Sequence, residues 1–180
     1  MNNDLKYVNI CLSGDVKAFE KIIDNYQKKI FTLAIRMVKD FDDAEDITQI
    51  IFIKAYENLN KFNPRYKFFS WLYRIAVNET INFCKKKNRI KNLVENIETE
   101  EKNPEEICAD NELGDEIQSA IMKVDIKYRL PLVLKHFLNY SYKELCEILE
   151  IPEKTVKSRL FTGRQRLKKI LIKTGIQYID

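Results

Sequence analysis

The sequence predicts an all-α fold made of two small helical domains, and three observations lead to this prediction. Glycine and proline occur only four times each in 180 residues, too few turn formers for a fold of many short strands. Hydrophobic residues make up 45% of the chain, enough to build real cores. Over long stretches they recur every three or four residues, which is typical of amphipathic helices.

Three long helices are predicted in the N-terminal half. The apolar spacing places the first at Ala18–Val38, and the second begins near Asp43, with acidic residues in its first turn, where the helix dipole favours them. Residues 60–67 contain Asn63-Pro64 and are predicted to form a loop. The third helix follows over about residues 69–87.

The C-terminal half contains four further predicted helices, at about residues 117–124, 129–138, 141–149 and 153–173. The last two are separated by a break at Glu150-Ile151-Pro152, and the second of them is strongly basic. This is a helix-turn-helix pattern. Ser141 and Glu144 have the spacing of a capping box at the start of the first helix of the pair.

Charge divides the chain into three parts. Residues 1–93 carry 17 basic and 11 acidic side chains, residues 94–116 carry 1 and 10, and residues 117–180 carry 13 and 6. The acidic middle part has few large apolar residues, so we expect domains at 1–93 and 117–180 joined by an acidic linker at 94–116. Two basic blocks suit two domains that both contact a polyanion.

Several classes of protein are disfavoured. The four cysteines form no CxxC pair, and the one histidine, His136, lies at no usual zinc spacing from them, so no metal site, cofactor or catalytic centre is predicted. We expect buried thiols in a reducing cytoplasm. No signal peptide is visible, and no apolar run approaches the ~20 residues needed to span a bilayer.

Two segments have the composition of DNA-binding surfaces. On the last helix, a basic face separate from the apolar stripe is able to enter a major groove, and it consists of Lys154, Lys157, Ser158, Phe161 and Arg164. In residues 61–78, aromatic rings alternate with Arg65, Lys67 and Arg74, which suits single-stranded DNA because unstacked bases need stacking surfaces and the backbone needs cations. The lysines of residues 85–87 would hold duplex phosphates nearby.

A third segment, residues 42–52, opens a helix with four carboxylates. It lacks the alternating oxygen ligands and the glycine of a calcium loop, and no histidine is near. The carboxylates therefore mark either an ordinary acidic helix start or a contact with a basic partner.

Taken in order, the motifs DAEDITQ, SWLYRIAVN and TVKSRL, with the aromatic–basic loop and the acidic linker between them, resemble the extracytoplasmic-function sigma factors over roughly residues 15–90 and 117–172. The resemblance implies a sigma domain 2 that binds the β′ clamp helices of core RNA polymerase and the minus-10 element. It also implies a sigma domain 4 that binds the minus-35 element and the β flap. An anti-sigma factor is a candidate further partner.

The resemblance also assigns roles to individual residues. The polymerase contact falls to Asp43, Glu45, Asp46 and Gln49. The residues assigned to the minus-10 element are Phe62, Asn63, Arg65, Tyr66, Lys67, Phe68, Phe69, Arg74, Asn78, Lys85, Lys86 and Lys87. Those assigned to the minus-35 element are Lys154, Thr155, Lys157, Ser158, Phe161 and Arg164. The sequence departs from the family pattern at three places: Ile50 stands where an acidic residue usually follows the glutamine, Thr162-Gly163 replaces a frequent arginine-alanine pair, and Asn139 replaces a usual glycine before the helix-turn-helix. Gly163 also costs its helix ~1 kcal/mol relative to alanine.

Two other functions remain as alternatives. A helix-turn-helix regulator that does not replace the sigma subunit would bind a specific duplex without polymerase, but it leaves SWLYRIAVN unexplained. A helical adaptor that binds only protein would have no salt-dependent affinity for DNA. Neither alternative, nor the sigma factor, requires catalysis.

Overall fold

The computed structural model describes residues 3–94 and 112–174. These two stretches contain eight α-helices, a short 3-10 helix at Leu59–Lys61 and no strand, which confirms the all-α prediction. The helices are α1 (Asp4–Leu12), α2 (Ala18–Val38), α3 (Phe41–Glu57), α4 (Phe68–Val94), α5 (Glu112–Met122), α6 (Ile126–His136), α7 (Tyr142–Leu149) and α8 (Glu153–Lys173).

The N-terminal unit consists of α1–α4. Its core is formed by fully buried apolar side chains from the stripes that the sequence predicts, among them Ile22, Leu33, Ile47, Ile51 and Leu72. The connection between α2 and α3 is tight because Lys39 adopts a left-handed conformation (φ 55°). Asp40 then caps α3, and its side chain accepts a hydrogen bond of 3.0 Å from the Asp43 backbone nitrogen. The helix therefore begins at Phe41, slightly before the predicted start.

The C-terminal unit consists of α5–α8. Leu145, Val156 and Leu160 are buried where α6, α7 and α8 meet. The capping box is present, since Ser141 accepts from the Glu144 backbone nitrogen at 3.3 Å and the Ser141 backbone nitrogen donates to Glu144 at 2.8 Å. Helix α5 starts inside the segment predicted as the linker, and the rest of that segment, residues 95–111, lies outside the described residues.

The two units pack against each other through α2 with α6 and through α4 with α7. Arg129 of α6, only 8% exposed, donates a hydrogen bond of 2.9 Å to the backbone oxygen of Met37 near the end of α2. Arg36 and Gln118 exchange two hydrogen bonds: Arg36 donates to the Gln118 side chain at 2.9 Å, and Gln118 donates to the Arg36 backbone oxygen at 3.1 Å. These contacts join residues that are about eighty to ninety positions apart in the sequence.

The remaining expectations concern cysteines, metals and membranes. Cys11, Cys84 and Cys146 are free thiols, and burial raises the pKa of the Cys84 thiol. Cys108 lies outside the described residues. Within residues 3–94 and 112–174, no group of three metal-ligating side chains comes together, and no helix is long and apolar enough to cross a membrane.

Candidate nucleic-acid and polymerase interfaces

Helix α8 presents a basic face to solvent, which we call the basic face of α8. Val156 and Leu160 of its apolar stripe are fully buried, and the helix packs against α6 and α7. The opposite side chains are exposed: Lys154, Lys157, Ser158, Phe161 and Arg164. Thr155 is half-buried at the edge of this face. Phe161 is 59% exposed, and an exposed aromatic ring among cations suits contact with a thymine methyl in a major groove.

Lys157 has partners within the helix-turn-helix. Its ammonium lies 2.6 Å from the Glu153 carboxylate one turn earlier and 5.7 Å from the centre of the Tyr142 ring. The hydrogen bond to Glu153 and the charge of that carboxylate raise the pKa of Lys157, so the side chain remains cationic. Both members of the ion pair are more than half exposed, so the pair is weak.

Two departures from the family pattern have structural explanations. A Cβ atom on Gly163 would lie 3.0 Å from the Leu132 side chain and 3.2 Å from the Tyr128 backbone oxygen, so glycine allows α8 to approach α6 closely. The cost in helix propensity is thus offset by packing. Asn139 has φ 57°, the left-handed region that glycine favours and asparagine tolerates.

The loop before α4 divides its aromatic side chains between core and surface. Phe62 and Phe68 are 8% and 0% exposed, their ring centres are 5.3 Å apart, and both contact Trp71. These two rings support the loop and are not available to stack on a base. Tyr66, by contrast, is 63% exposed. Sequence spacing alone does not separate these roles, because all three rings lie within seven residues.

This region forms an aromatic–basic surface, in which Asn63, Arg65, Tyr66, Lys67 and Asn78 are exposed and Phe69 and Arg74 are half-buried. The Asn63 side chain accepts a hydrogen bond of 3.0 Å from the Arg65 backbone nitrogen, which fixes the turn that carries Arg65 and Tyr66. Arg74 and Asn78 are four residues apart on α4, so they share one side of the helix. Further along α4, Lys85 and Lys86 are exposed.

Lys87 is held by acidic residues of α3 and its cap. Its ammonium lies 3.6 Å from Asp40 and forms a closer ion pair with Asp43. Burial alone would lower the pKa of Lys87, but the bonds to Asp43 and Asp40 outweigh it and the pKa is raised. Lys87 and Asp43, predicted for two different partners, therefore neutralise each other across the α3–α4 contact.

The other acidic side chains at the start of α3 point to solvent. Glu45 and Asp46 are exposed, and with the exposed neutral amide of Gln49 they form a surface that we call the acidic patch. Beside it lie two exposed apolar residues: Ile50 (39%), which stands where the family usually has an acidic residue, and Ile53 (56%), which the sequence does not single out. Both residues lie outside the apolar stripe that is buried in this helix, and this position in the helical period marks them as exposed. Acidic and apolar side chains together suit a basic protein surface rather than DNA.

Helix α7 contacts the aromatic–basic surface directly. The Glu147 carboxylate accepts hydrogen bonds from Lys67 at 3.3 Å and from Ser70 at 2.8 Å. Arg74 donates to the Glu147 backbone oxygen at 2.9 Å and pairs with the Glu150 carboxylate at 2.9 Å. No pattern in the sequence indicates these pairings, which join residues more than seventy positions apart.

Comparison with known proteins places this chain in a family. Residues 22–90 match the model of Sigma-70 region 2, and residues 114–167 match the model of Sigma-70, region 4. ECF RNA polymerase sigma factor SigW of Bacillus subtilis is 39% identical over 170 residues, which cover 88% of this chain and 91% of that protein. The ECF RNA polymerase sigma-E factor of Escherichia coli K12 is 33% identical over 166 residues, 86% of each chain.

Solved structures share the fold. CnrH in complex with the cytosolic domain of CnrY superposes with a TM-score of 0.73 at 20% identity, covering 96% of this chain and 99% of that one. The sigma factor RpoE in complex with the anti-sigma factor NepR from Bartonella quintana gives a TM-score of 0.70 at 22% identity, covering 86% and 97%. With region 2 and region 4 in this order and 39% identity to SigW over most of both chains, the protein belongs to the extracytoplasmic-function (ECF) sigma factors of RNA polymerase.

Proposed function

We propose that the protein binds core RNA polymerase, directs it to specific promoters through their minus-10 and minus-35 elements, and promotes opening of the promoter. One observation carries the proposal: a single chain presents two surfaces suited to different forms of DNA. The basic face of α8 suits a duplex, and the aromatic–basic surface suits a separated strand. We place the two domains at residues 1–93 and 117–180, with the acidic segment 94–116 between them.

The basic face of α8 reads the minus-35 element in this proposal. Lys157 and Arg164 reach guanine edges or phosphates, and Phe161 packs on a thymine methyl. Ser158 and Thr155 add short polar contacts, while Lys154 near the helix start meets the phosphate backbone. Because the helix is buried along its opposite side, it enters the groove as a rigid unit.

The aromatic–basic surface captures the non-template strand at the minus-10 element. Tyr66 offers a stacking surface, and stacking on an aromatic ring is worth ~1–3 kcal/mol per base. Taking a base out of the duplex costs a few kcal/mol, which stacking and the cations Arg65 and Lys67 together offset. Asn78 hydrogen-bonds the captured base, and Lys85 and Lys86 hold neighbouring duplex phosphates. Phe62 and Phe68 contribute by keeping the loop in place.

The acidic patch binds the polymerase. Glu45, Asp46 and Gln49 face the basic β′ clamp helices, and Ile50 and Ile53 add apolar contact area. Asp43 contributes less than the resemblance implies, because Lys87 already pairs with it. The C-terminal unit contacts the β flap. Two solved relatives are complexes with another protein, one of them a named anti-sigma factor, and we propose such a factor as a further partner here.

The protein has no reaction of its own in this proposal. It recruits polymerase by direct contact, and its contacts with unstacked bases stabilise the open duplex without any covalent step. We place its action in the cytoplasm, where core polymerase and the chromosome are found.

Run-off transcription on genomic fragments, with purified core polymerase and with or without the protein, tests the proposal. We expect discrete transcripts that appear only when both are present and that start downstream of a shared pair of sequence elements. A helix-turn-helix regulator would instead bind a duplex alone and change only the transcripts that another sigma subunit starts. An absence of new start sites would contradict the proposed function.

A further inference from the structure

We propose that Gly163 is a positioning residue for DNA recognition: it lets α8 lie directly on α6, and this spacing sets how the outward side of the same turn meets the minus-35 duplex. The inference rests on the proposed function, because it assumes that the basic face of α8 reads that element. It adds a determinant of specificity that is buried and does not itself contact DNA.

The first argument is that close packing accounts for the glycine. Glycine weakens the interior of a helix, and Gly163 lies in the middle of α8. Its backbone is helical, so no left-handed turn calls for glycine at this position. What remains is the absence of a side chain. A Cβ atom on Gly163 would lie 3.0 Å from the Leu132 Cδ1 atom and 3.2 Å from the Tyr128 backbone oxygen.

The second argument is that the two neighbours of Gly163 have little room to yield. Leu132 is 2% exposed and is enclosed in the core, and the Tyr128 oxygen belongs to the backbone of α6. Protein interiors are packed so closely that a change of one methylene group is felt. A methyl group at position 163 would therefore move α8 and α6 apart locally by a few tenths of an ångström.

The third argument is the direction of that movement. Successive residues of an α-helix are rotated by about 100°, so Phe161 projects about 160° away from Gly163, on nearly the opposite side of α8. Phe161 is accordingly 59% exposed, whereas Gly163 is buried. Val156 and Leu160 are fully buried and hold the first half of the helix in place. A local separation at Gly163 therefore tilts the second half of α8 and carries Phe161 outward.

The fourth argument is a second contact between the same two helices, one turn further along α8. The Arg166 guanidinium carbon lies 4.4 Å from the centre of the Tyr128 ring, and the guanidinium pairs with the Asp125 carboxylate. Tyr128 thus contacts α8 twice, through its backbone oxygen at Gly163 and through its ring at Arg166. We call Gly163, Arg166, Tyr128 and Leu132 the α6–α8 clasp. Because a cation attracts a ring face only at short range, the clasp favours one spacing of the two helices.

Contacts with bases depend on this spacing more than contacts with phosphates do. A helix in the major groove reads base edges and thymine methyls over short distances, whereas the attraction between cations and phosphates falls off slowly. Phosphate contacts carry no sequence information directly. A displacement of a few tenths of an ångström should therefore reduce discrimination between sequences and leave non-specific affinity nearly unchanged.

The test measures binding of the polymerase holoenzyme, assembled with the full-length protein, to a promoter fragment identified by run-off transcription. The specificity ratio is the affinity for this fragment divided by the affinity for the same fragment with a scrambled minus-35 segment. Gly163→Ala should lower this ratio about fivefold or more, as expected when one base contact is weakened. Gln165→Ala, at an exposed position of the same helix, is the control and should leave the ratio unchanged.

Two further variants separate positioning from stability. Leu132→Val removes the Cδ1 atom, which is nearest to the added methyl group. The double variant Leu132→Val/Gly163→Ala should therefore regain most of the specificity ratio, although shortening a core side chain lowers stability. Tyr128→Leu removes the ring that Arg166 contacts and changes no charge, and it should lower the ratio by itself.

A specificity ratio for Gly163→Ala equal to that of the control would overturn the inference, and so would a lowered ratio that Leu132→Val does not raise. If circular dichroism shows that Gly163→Ala does not fold, an unchanged ratio for Tyr128→Leu overturns it instead. A failure of the proposed function is distinct: run-off transcription with the unaltered protein then gives no new start sites, and the inference falls with it.

Discussion

Replacing Arg129 with methionine should destabilise the protein by about 3 kcal/mol. Arg129 is 8% exposed, and its guanidinium donates to the backbone oxygens of Met37 (at 2.9 Å) and Met122 at the ends of α2 and α5, and to that of Val124 in the loop after α5 at 3.0 Å. Helix C-termini carry unpaired carbonyls and favour cations. Each hydrogen bond from a charged donor is worth roughly 1.5–3 kcal/mol, and the cost of burying the guanidinium offsets part of the total.

Urea unfolding followed by far-UV circular dichroism measures the effect. Arg166→Met is the matched control, because Arg166 is half-exposed, pairs with exposed Asp125 and lies over the Tyr128 ring with its guanidinium carbon 4.4 Å from the ring centre. A surface pair of this kind should cost no more than about 1 kcal/mol. If the two variants lose the same free energy of unfolding, Arg129 does not tie the helix ends together and the reasoning is refuted.

Three further predictions concern the interfaces and the turn before α7. Asp46→Lys should abolish retention of core polymerase on a column at moderate salt, whereas Glu57→Lys, at the exposed far end of the same helix, should not. A template melted in advance at the minus-10 element should rescue transcription by Asn78→Ala but not by Lys157→Ala, because only the first change impairs opening. Asn139→Val should lower the free energy of unfolding by about 1–2 kcal/mol in the same urea experiment, since the position has φ 57°, and Asn139→Gly should not.

Each of these has a contrary outcome. Full retention of a folded Asp46→Lys protein would remove the acidic patch from the polymerase contact. An equal response of the Asn78 and Lys157 variants to the melted template would mean that duplex recognition and opening are not separate functions of the two surfaces. A valine variant at position 139 as stable as the glycine variant would show that the turn tolerates another conformation.

The sequence predicts the helices well where burial follows a regular period. The limits of α2 match the prediction because its apolar stripe runs unbroken from Ala18 to Val38. The capping box at Ser141 is confirmed because it is set by residues three apart. Helix α1 was not predicted, since it buries only two apolar side chains, Val8 and Cys11, and no stripe distinguishes it from a polar terminus.

The site residues are predictable by type but not by environment. Phe68 and Tyr66 look equivalent in the sequence, yet one is fully buried and the other is 63% exposed, because burial depends on where Trp71 packs. The Lys87–Asp43 pair and the contact of Glu147 with Ser70 depend on tertiary packing between distant segments. Such long-range pairings leave no periodic trace in a single sequence.

Permanganate reactivity of thymines on a promoter fragment tests the central claim most directly, because permanganate oxidises unpaired thymines in preference to paired ones. With core polymerase and the protein together, we expect reactive thymines confined to a short segment that begins at the minus-10 element. With either component alone, or with an Asn78→Ala protein, we expect that segment to stay unreactive. Reactivity that is the same with and without the protein would contradict the claim that this chain directs polymerase to a promoter and opens it.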